Sequence, residues 1–176
     1  MSTHELAFAA FADISDLSGD IPPGGYDPIK VEAAHYDWWE KEGFFLPKFQ
    51  EDGTPLPKGT FSMVFPPPNV TGNLHIGHAL TTALQDSLIR WKRMQGYTTL
   101  FVPGYDHAGI ATQAVVEARL LKNEGHSRHY YGREKFLEKV WEWKEEYQAN
   151  ITNQMRRLGG SFEWGRVAFT MSDVSC

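Results

Sequence analysis

Two histidines lie three positions apart in the segment His75-Ile76-Gly77-His78. Side chains at this spacing share one side of a helical turn, so both imidazoles could donate hydrogen bonds to one ligand. Phosphate oxygens are suitable acceptors, because a helix N-terminus attracts anions. Gly77 carries no side chain, so a nucleobase or a ribose could approach the backbone there. The segment therefore predicts a nucleotide site.

The spacing of these histidines is weak information by itself, because most such pairs are surface or packing residues. Zinc binding is a second option for closely spaced histidines. However, no cysteine lies nearby, and the His-Glu-x-x-His arrangement of helix-borne zinc sites is absent. We therefore expect no protein-bound metal. His126 and His129 repeat the spacing in a hydrophilic stretch, and we predict no site there.

A proline run and a carboxylate are the other candidates. The run Pro66-Pro67-Pro68 ends an apolar stretch, either as a plain strand terminator or as a stiff apolar surface that suits a small aliphatic group. Asp106 follows a second apolar stretch. Its carboxylate could bind an ammonium group by a charge-assisted hydrogen bond or cap the helix that starts after it.

Alternating strands and helices would position these residues. Strands are predicted at 61–65 and 98–102, where short apolar runs are cut off by prolines. Between them, apolar residues recur at helical spacing up to Gly96; they are Leu80, Leu84, Leu88 and Trp91. Further helices are predicted at about 110–122 and 133–158, the second ended by Gly159-Gly160. This order is typical of parallel α/β structure, in which ligands bind at the carboxyl ends of the strands.

The N-terminal region is predicted to differ from the rest. Residues 1–25 end in Ile-Pro-Pro-Gly-Gly without a sustained helical stripe, so we interpret them as a mobile arm. A helix is predicted to begin at Asp27-Pro28 and to end at Gly43.

Composition limits the class of protein. The 176 residues are 41% hydrophobic, which is enough for a core, and the net charge of -5 does not suit a free-standing nucleic-acid binder. No apolar run approaches the roughly 20 residues that cross a bilayer, so we expect no membrane partner. The single cysteine, and a first stretch of 29 residues without Lys or Arg, favour the cytoplasm over secretion or mitochondrial import.

Longer blocks carry a family resemblance. The tetrapeptide at 75–78 resembles the nucleotide-binding signature of class I aminoacyl-tRNA synthetases. The string Pro-Pro-Pro-Asn-Val-Thr-Gly before it, and the block from Gly104 to Gln113, are similar to the valyl-tRNA synthetases. Further similar blocks, such as Gly132-Arg133-Glu134-Lys135-Phe136, extend the resemblance from about Tyr26 to Met171.

The resemblance implies a reaction and its partners. Valine would be activated by ATP, with Mg²⁺ as the counter-ion of ATP, to valyl-adenylate and then transferred to valine tRNA. His75 and His78 would be catalytic and would bind the ATP phosphates, with Gly77 under the adenosine; the alternative is that the two histidines only cap a helix. The valine-binding residues would be Pro66, Pro67, Asn69 and Asp106.

The resemblance also implies the fold class, an α/β protein with a Rossmann-like parallel sheet. Residues 26–176 would be the N-terminal half of this catalytic domain, truncated, because the lysine-bearing Lys-Met-Ser-Lys-Ser loop, the editing domain and the anticodon-binding helices do not occur. We therefore expect the chain alone neither to charge tRNA nor to form adenylate at a useful rate. Two alternatives remain: a small nucleotidyltransferase with the same His-x-Gly-His signature, and a non-catalytic fragment that acts as a binding module.

Overall fold

The computed structural model describes residues 35–172. The chain divides into two compact units, Met1–Asp37 and Trp38–Cys176. The predicted arm at 1–25 and the predicted helix start at Asp27 lie outside the described residues. The described part of that helix, α1 (His35–Lys41), ends just before Gly43, whose φ of +68° is a conformation that glycine tolerates at a helix end.

Two parallel strands joined through a helix form the centre of the larger unit. Strand β1 (Thr60–Val64) pairs with β2 (Thr98–Val102), with Val64 opposite Val102, and α2 (Ile76–Met94) connects them. A parallel pair needs such a crossover, because its strands must run in the same direction. The predicted α/β order is confirmed here, with β1 displaced by one residue from the predicted 61–65.

A second parallel pair is too short to have been predicted from hydropathy. Strand β3 (Gly104–Tyr105) pairs with β4 (Ala168–Phe169), which follows a 3₁₀ helix at Trp164–Arg166. These two strands approach so closely that a Cβ on Gly104 would lie 3.1 Å from the Ala168 carbonyl oxygen. A side chain at this position would force the two strands apart by a few tenths of an ångström, so glycine suits this crossing.

Two helices follow the strands and pack on each other. Helix α3 (Ile110–Glu124) ends at Gly125, and α4 (Arg128–Arg157) contains a break at Gly132, with φ 72° and ψ 173°. The predicted start at 133 therefore corresponds to the part of α4 after this break. Four buried side chains form a cluster between the helices: Val116, Leu120, Phe136 and Trp143.

Aromatic residues dominate the main core. Phe101 on β2 stacks on Phe162 with ring centroids 4.3 Å apart, and Phe65 meets Phe162 edge-on at 5.4 Å. Such offset and edge-to-face contacts are the favoured geometries of aromatic pairs. Helix α4 closes this core with two fully buried side chains, Ile151 and Met155.

Helix α2 shows an unexpected distribution of exposed residues. The helix itself was predicted from an apolar stripe, yet Leu80 and Leu84 on that stripe are 60% and 62% exposed. The opposite side carries Asp86, which is buried. Its carboxylate accepts the Ser161 backbone N–H at 2.7 Å and the Arg90 Nε–H at 2.6 Å, so a polar network lies under this helix beside the fully buried Ile89.

Candidate active site

The loop between β1 and α2 is held by side chains of α4. The Trp143 Nε1–H donates to the Val70 carbonyl at 2.8 Å, and this bond is buried. The Leu74 N–H donates to Gln154 Oε1 at 2.9 Å, one residue before His75. The loop is therefore fixed at two points, and the start of α2 has a defined position relative to α4.

His75 and His78 together cap helix α2. His75 is the N-cap residue, and its Nδ1 accepts the Gly77 N–H at 3.1 Å. In return, His78 Nδ1 accepts the His75 N–H at 3.2 Å. The ring centroids lie 4.0 Å apart, so the predicted approach of the two imidazoles is confirmed. This is a capping box in which imidazoles take the place of the usual Ser/Thr and Glu/Gln.

The capping bonds determine which ring nitrogens can reach a ligand. A neutral imidazole whose Nδ1 accepts a hydrogen bond carries its proton on Nε2. Both histidines thus keep an Nε2–H that is not used by the cap. The backbone N–H groups of His75 and Gly77, by contrast, already have acceptors. An anion at this helix end would therefore meet imidazole N–H groups at these positions, with the helix dipole behind them.

Gly77 has a second reason to be glycine besides access to the backbone. A Cβ at this position would lie 2.9 Å from His75 Cε1 and 3.1 Å from His75 Nδ1. An alanine would push the His75 ring off the helix end and break its bond to the Gly77 N–H. The glycine therefore allows the cap to form, and its predicted place under an adenosine stays a prediction.

The pKa of His78 is lowered from its ordinary value. The main cause is desolvation of the ring, and the neighbouring His75 adds to the shift. Because the folded pKa lies below the unfolded one, the unfolded chain binds more protons between the two values. The neutral cap therefore stabilises the fold fully above the unfolded pKa, near 6.5, and this contribution is lost as the pH falls through the lowered pKa.

We expect the His78→Ala variant to show this linkage. The difference in unfolding free energy between wild type and variant should be largest above about pH 6.5 and should shrink as the pH is lowered. Urea titrations of both proteins across this range would measure it. A difference that stays constant or grows on acidification would contradict the expectation.

Asp106 and Asn69 are brought together by backbone pairing. The Asp106 N–H donates to the Pro68 carbonyl at 2.9 Å, and the Val70 N–H donates to the Asp106 carbonyl at 3.0 Å. These bonds form an isolated parallel bridge between Asn69 and Asp106. The segments after β1 and β2 thus continue side by side beyond the sheet, so two residues predicted to bind valine are neighbours.

The carboxylate of Asp106 has defined partners. Oδ2 accepts the Ala108 N–H at 3.2 Å, and Oδ1 accepts the Thr170 hydroxyl at 3.0 Å. Asp106 is not the N-cap of α3, because that position is Gly109 and receives no side-chain cap. The alternative role as a helix cap is therefore not observed.

Thr170 and His107 were given no role from the sequence. Thr170 Oγ1 lies 2.6 Å from His107 Nδ1 and accepts the His107 N–H at 3.0 Å. The pairing of β3 with β4 brings these two residues together, although they lie 63 positions apart in the chain. Spacing in the sequence could not reveal this contact, although the Gly104–Gln113 block already contained His107.

The prolines lie at the beginning of the loop between β1 and α2. Pro66 and Pro67 are exposed and Pro68 is buried. The Pro67 ring approaches the open side of Gly104, since a Cβ there would be 3.7 Å from Pro67 Cβ. An apolar pocket lies beside His107, and its walls include Val70, Trp141, Phe169 and Met171. The pocket is lined by Val70 and His107, the chain neighbours of Asn69 and Asp106, and not by the predicted valine-binding residues themselves.

Two further observations concern residues 35–172 alone. No helix in this range combines the length and hydropathy needed to cross a bilayer. No three His, Cys, Asp or Glu side chains in this range are grouped so that they could hold a metal ion.

The geometry defines an α/β protein whose candidate site lies at the carboxyl ends of parallel strands, with two imidazoles after β1 and a carboxylate after β2. Residues 34–175 match the family described as tRNA synthetases class I (I, L, M and V), and the chain belongs to that family. This match favours the synthetase interpretation over the small nucleotidyltransferase.

Individual relatives indicate which members of this family the chain resembles. The valine--tRNA ligase of Schizosaccharomyces pombe is 60% identical over 148 residues, which are 84% of this chain and 15% of the relative. The mitochondrial valine--tRNA ligase of Saccharomyces cerevisiae is 59% identical over 147 residues, again 84% of this chain and 13% of the relative. The chain thus spans about a seventh of their length.

A solved structure supports the fold. The LeuRS of Agrobacterium radiobacter K84, solved as a ternary complex with tRNA and LeuAMS, superposes with a TM-score of 0.64 at 20% identity. The superposition covers 85% of this chain and 17% of that one. The predicted fold class, part of a class I synthetase catalytic domain, is confirmed.

Proposed function

We propose that this chain supplies the ATP- and valine-binding part of a valine--tRNA ligase. The reaction is the attack of the valine carboxylate on the α-phosphorus of ATP, with cleavage of the bond to pyrophosphate. The valyl group of the adenylate then passes to a hydroxyl of tRNA, and AMP is released. The observation that carries the proposal is the pair of histidine rings that cap a helix N-terminus through Nδ1 and leave Nε2 out of the cap, in a chain 60% identical to a valine--tRNA ligase.

His75 and His78 bind the ATP phosphates in this proposal. Negative charge is crowded on the phosphates during the attack, so donors that are already oriented lower the barrier most. The capping bonds hold both rings in place before a ligand arrives. The rings therefore need little reorganisation when the charge develops.

The segments after β1 and β2 together bind valine. The Asp106 carboxylate pairs with the ammonium group, and Pro66, Pro67 and Asn69 form the wall against the small side chain. The support is the backbone bridge between Asn69 and Asp106 and the apolar pocket beside His107. An apolar wall discriminates by size, and a carboxylate selects the amino group.

The other partners follow from the family. Class I synthetases use ATP, and we propose that Mg²⁺ enters with ATP as its counter-ion. Within residues 35–172, no three His, Cys, Asp or Glu side chains are grouped so that they could hold this ion on their own. Valine tRNA is the proposed acceptor. The net charge of -5 means that much of the attraction for tRNA would come from elsewhere in the enzyme.

A chimera tests the proposal. The matched segment of the S. pombe relative is replaced by this chain, which is 60% identical to it. Valine-dependent ATP–pyrophosphate exchange and tRNA charging are then measured beside the parent enzyme. Exchange near the parental rate with valine, and little with leucine, is expected. A folded chimera without valine-dependent exchange would refute the proposal.

A further inference from the structure

The contacts of Thr170 place one hydroxyl between a carboxylate and an imidazole. Its backbone N–H donates to the Tyr105 carbonyl at 3.2 Å, so the pairing of β3 with β4 extends to Thr170. Asp106 and His107 follow Tyr105 directly, and both reach the Thr170 side chain. The backbone of Thr170 is thus tied to β3 at the first residue of the turn that follows β4.

The hydrogen-bond count of this hydroxyl determines the direction of each bond. A threonine oxygen has one proton and two acceptor sites. An ionised Asp106 carboxylate can only accept, so the hydroxyl proton points to Oδ1 at 3.0 Å. The His107 backbone N–H, at 3.0 Å, fills one acceptor site. The contact of 2.6 Å with His107 Nδ1 must then be an Nδ1–H donating into the other site.

This count fixes the tautomer of a neutral His107. Its proton lies on Nδ1, and Nε2 remains an acceptor in the region of the apolar pocket that His107 lines. Replacing the hydroxyl by a methyl group would remove the bond to Asp106 Oδ1 and the acceptor 2.6 Å from His107 Nδ1. Asp106 would keep the bond from the Ala108 N–H and a longer contact of 3.4 Å between its Oδ1 and His107 Nδ1, and its carboxylate could rotate about these two contacts.

We propose that Thr170 is a positioning residue for amino-acid recognition. It orients the Asp106 carboxylate toward the ammonium group of the substrate and holds His107 as the Nδ1–H tautomer. The inference rests on the proposed function insofar as Asp106 binds valine. The bonds from Thr170 and from the Ala108 N–H reach different carboxylate oxygens, so they fix the carboxylate plane and leave further acceptor sites on both.

The experiment compares Thr170→Val, which keeps the shape, with Thr170→Ser, which keeps the hydroxyl. The complete 176-residue chain is labelled with ¹⁵N in its histidine rings, and the His107 ring shifts are recorded at about pH 8.5, where an ordinary imidazole is neutral. Binding of L-valine is measured by the same spectra. Isovalerate, which has the valine skeleton without the amino group, is the control ligand.

The wild type and Thr170→Ser should show the Nδ1–H pattern for His107, and Thr170→Val should lose it. Thr170→Val should also weaken valine binding roughly fivefold or more, with Thr170→Ser close to wild type and isovalerate insensitive to all changes. An unchanged His107 pattern in a folded Thr170→Val chain would overturn the inference. If the wild type binds no valine, the proposed role of Asp106 in valine binding fails. The His107 spectra still show in that case whether Thr170 holds His107 as the Nδ1–H tautomer.

Discussion

Replacing His78 by alanine in the chimera is expected to lower valine-dependent ATP–pyrophosphate exchange at least about tenfold, or ~1.4 kcal/mol of transition-state stabilisation. The variant loses the Nε2–H donor and also the acceptor for the His75 N–H. Since His75 then loses half of its capping box, its own ring is held less firmly. The rate constants at saturating valine and ATP measure the effect.

His78→Gln separates the two losses. A glutamine at this position of a capping box can accept the N-cap N–H, so the helix end is preserved while the imidazole is removed. If the imidazole matters for the reaction, His78→Gln should be as slow as His78→Ala. Exchange near the parental rate in His78→Gln would mean that His78 only caps the helix.

Changing Asp106 to asparagine is expected to raise the KM for valine by about tenfold or more, because a hydrogen bond to a charged group contributes ~1.5–3 kcal/mol. The amide keeps the size of the side chain and an oxygen for one of its two bonds. The KM for ATP should change little, because the phosphate-binding histidines belong to another segment. Initial rates in the chimera, with each substrate varied in turn, test this.

An exposed aspartate serves as the matched control. Asp52 bonds only within its own turn, to the Thr54 N–H and hydroxyl, and Asp52→Asn should leave both KM values unchanged. An equal rise of both KM values in Asp106→Asn would indicate damage to the fold around β3. An unchanged valine KM would remove Asp106 from substrate recognition.

The sequence was sufficient for features that depend on local patterns. Strand β2 and the ends of the helices at glycines were predicted, because hydropathy and backbone preferences act over a few residues. The His75–His78 pair was found in the same way. The proposed ligands of these residues and the cytoplasmic location stay predictions.

Features that depend on distant parts of the chain could not be predicted. Thr170 meets Asp106 through a strand pair of two residues, which leaves no pattern in the sequence. The exposure of Leu80 and Leu84 to solvent could not be predicted from the sequence either. An apolar stripe predicts a helix but does not tell which side faces the core when a buried carboxylate such as Asp86 has its own partners.

The imidazole cap of α2 also provides an intrinsic reporter of ligand binding. The amide protons of His75 and Gly77 are each protected by one histidine ring. Their exchange with deuterium therefore measures how often either ring leaves the helix end. A ligand that engages Nε2 alone would slow this exchange, whereas one that draws a ring away would accelerate it. The amides of His75 and Gly77 thus distinguish tightening of the site from its disruption, without any label near the histidines.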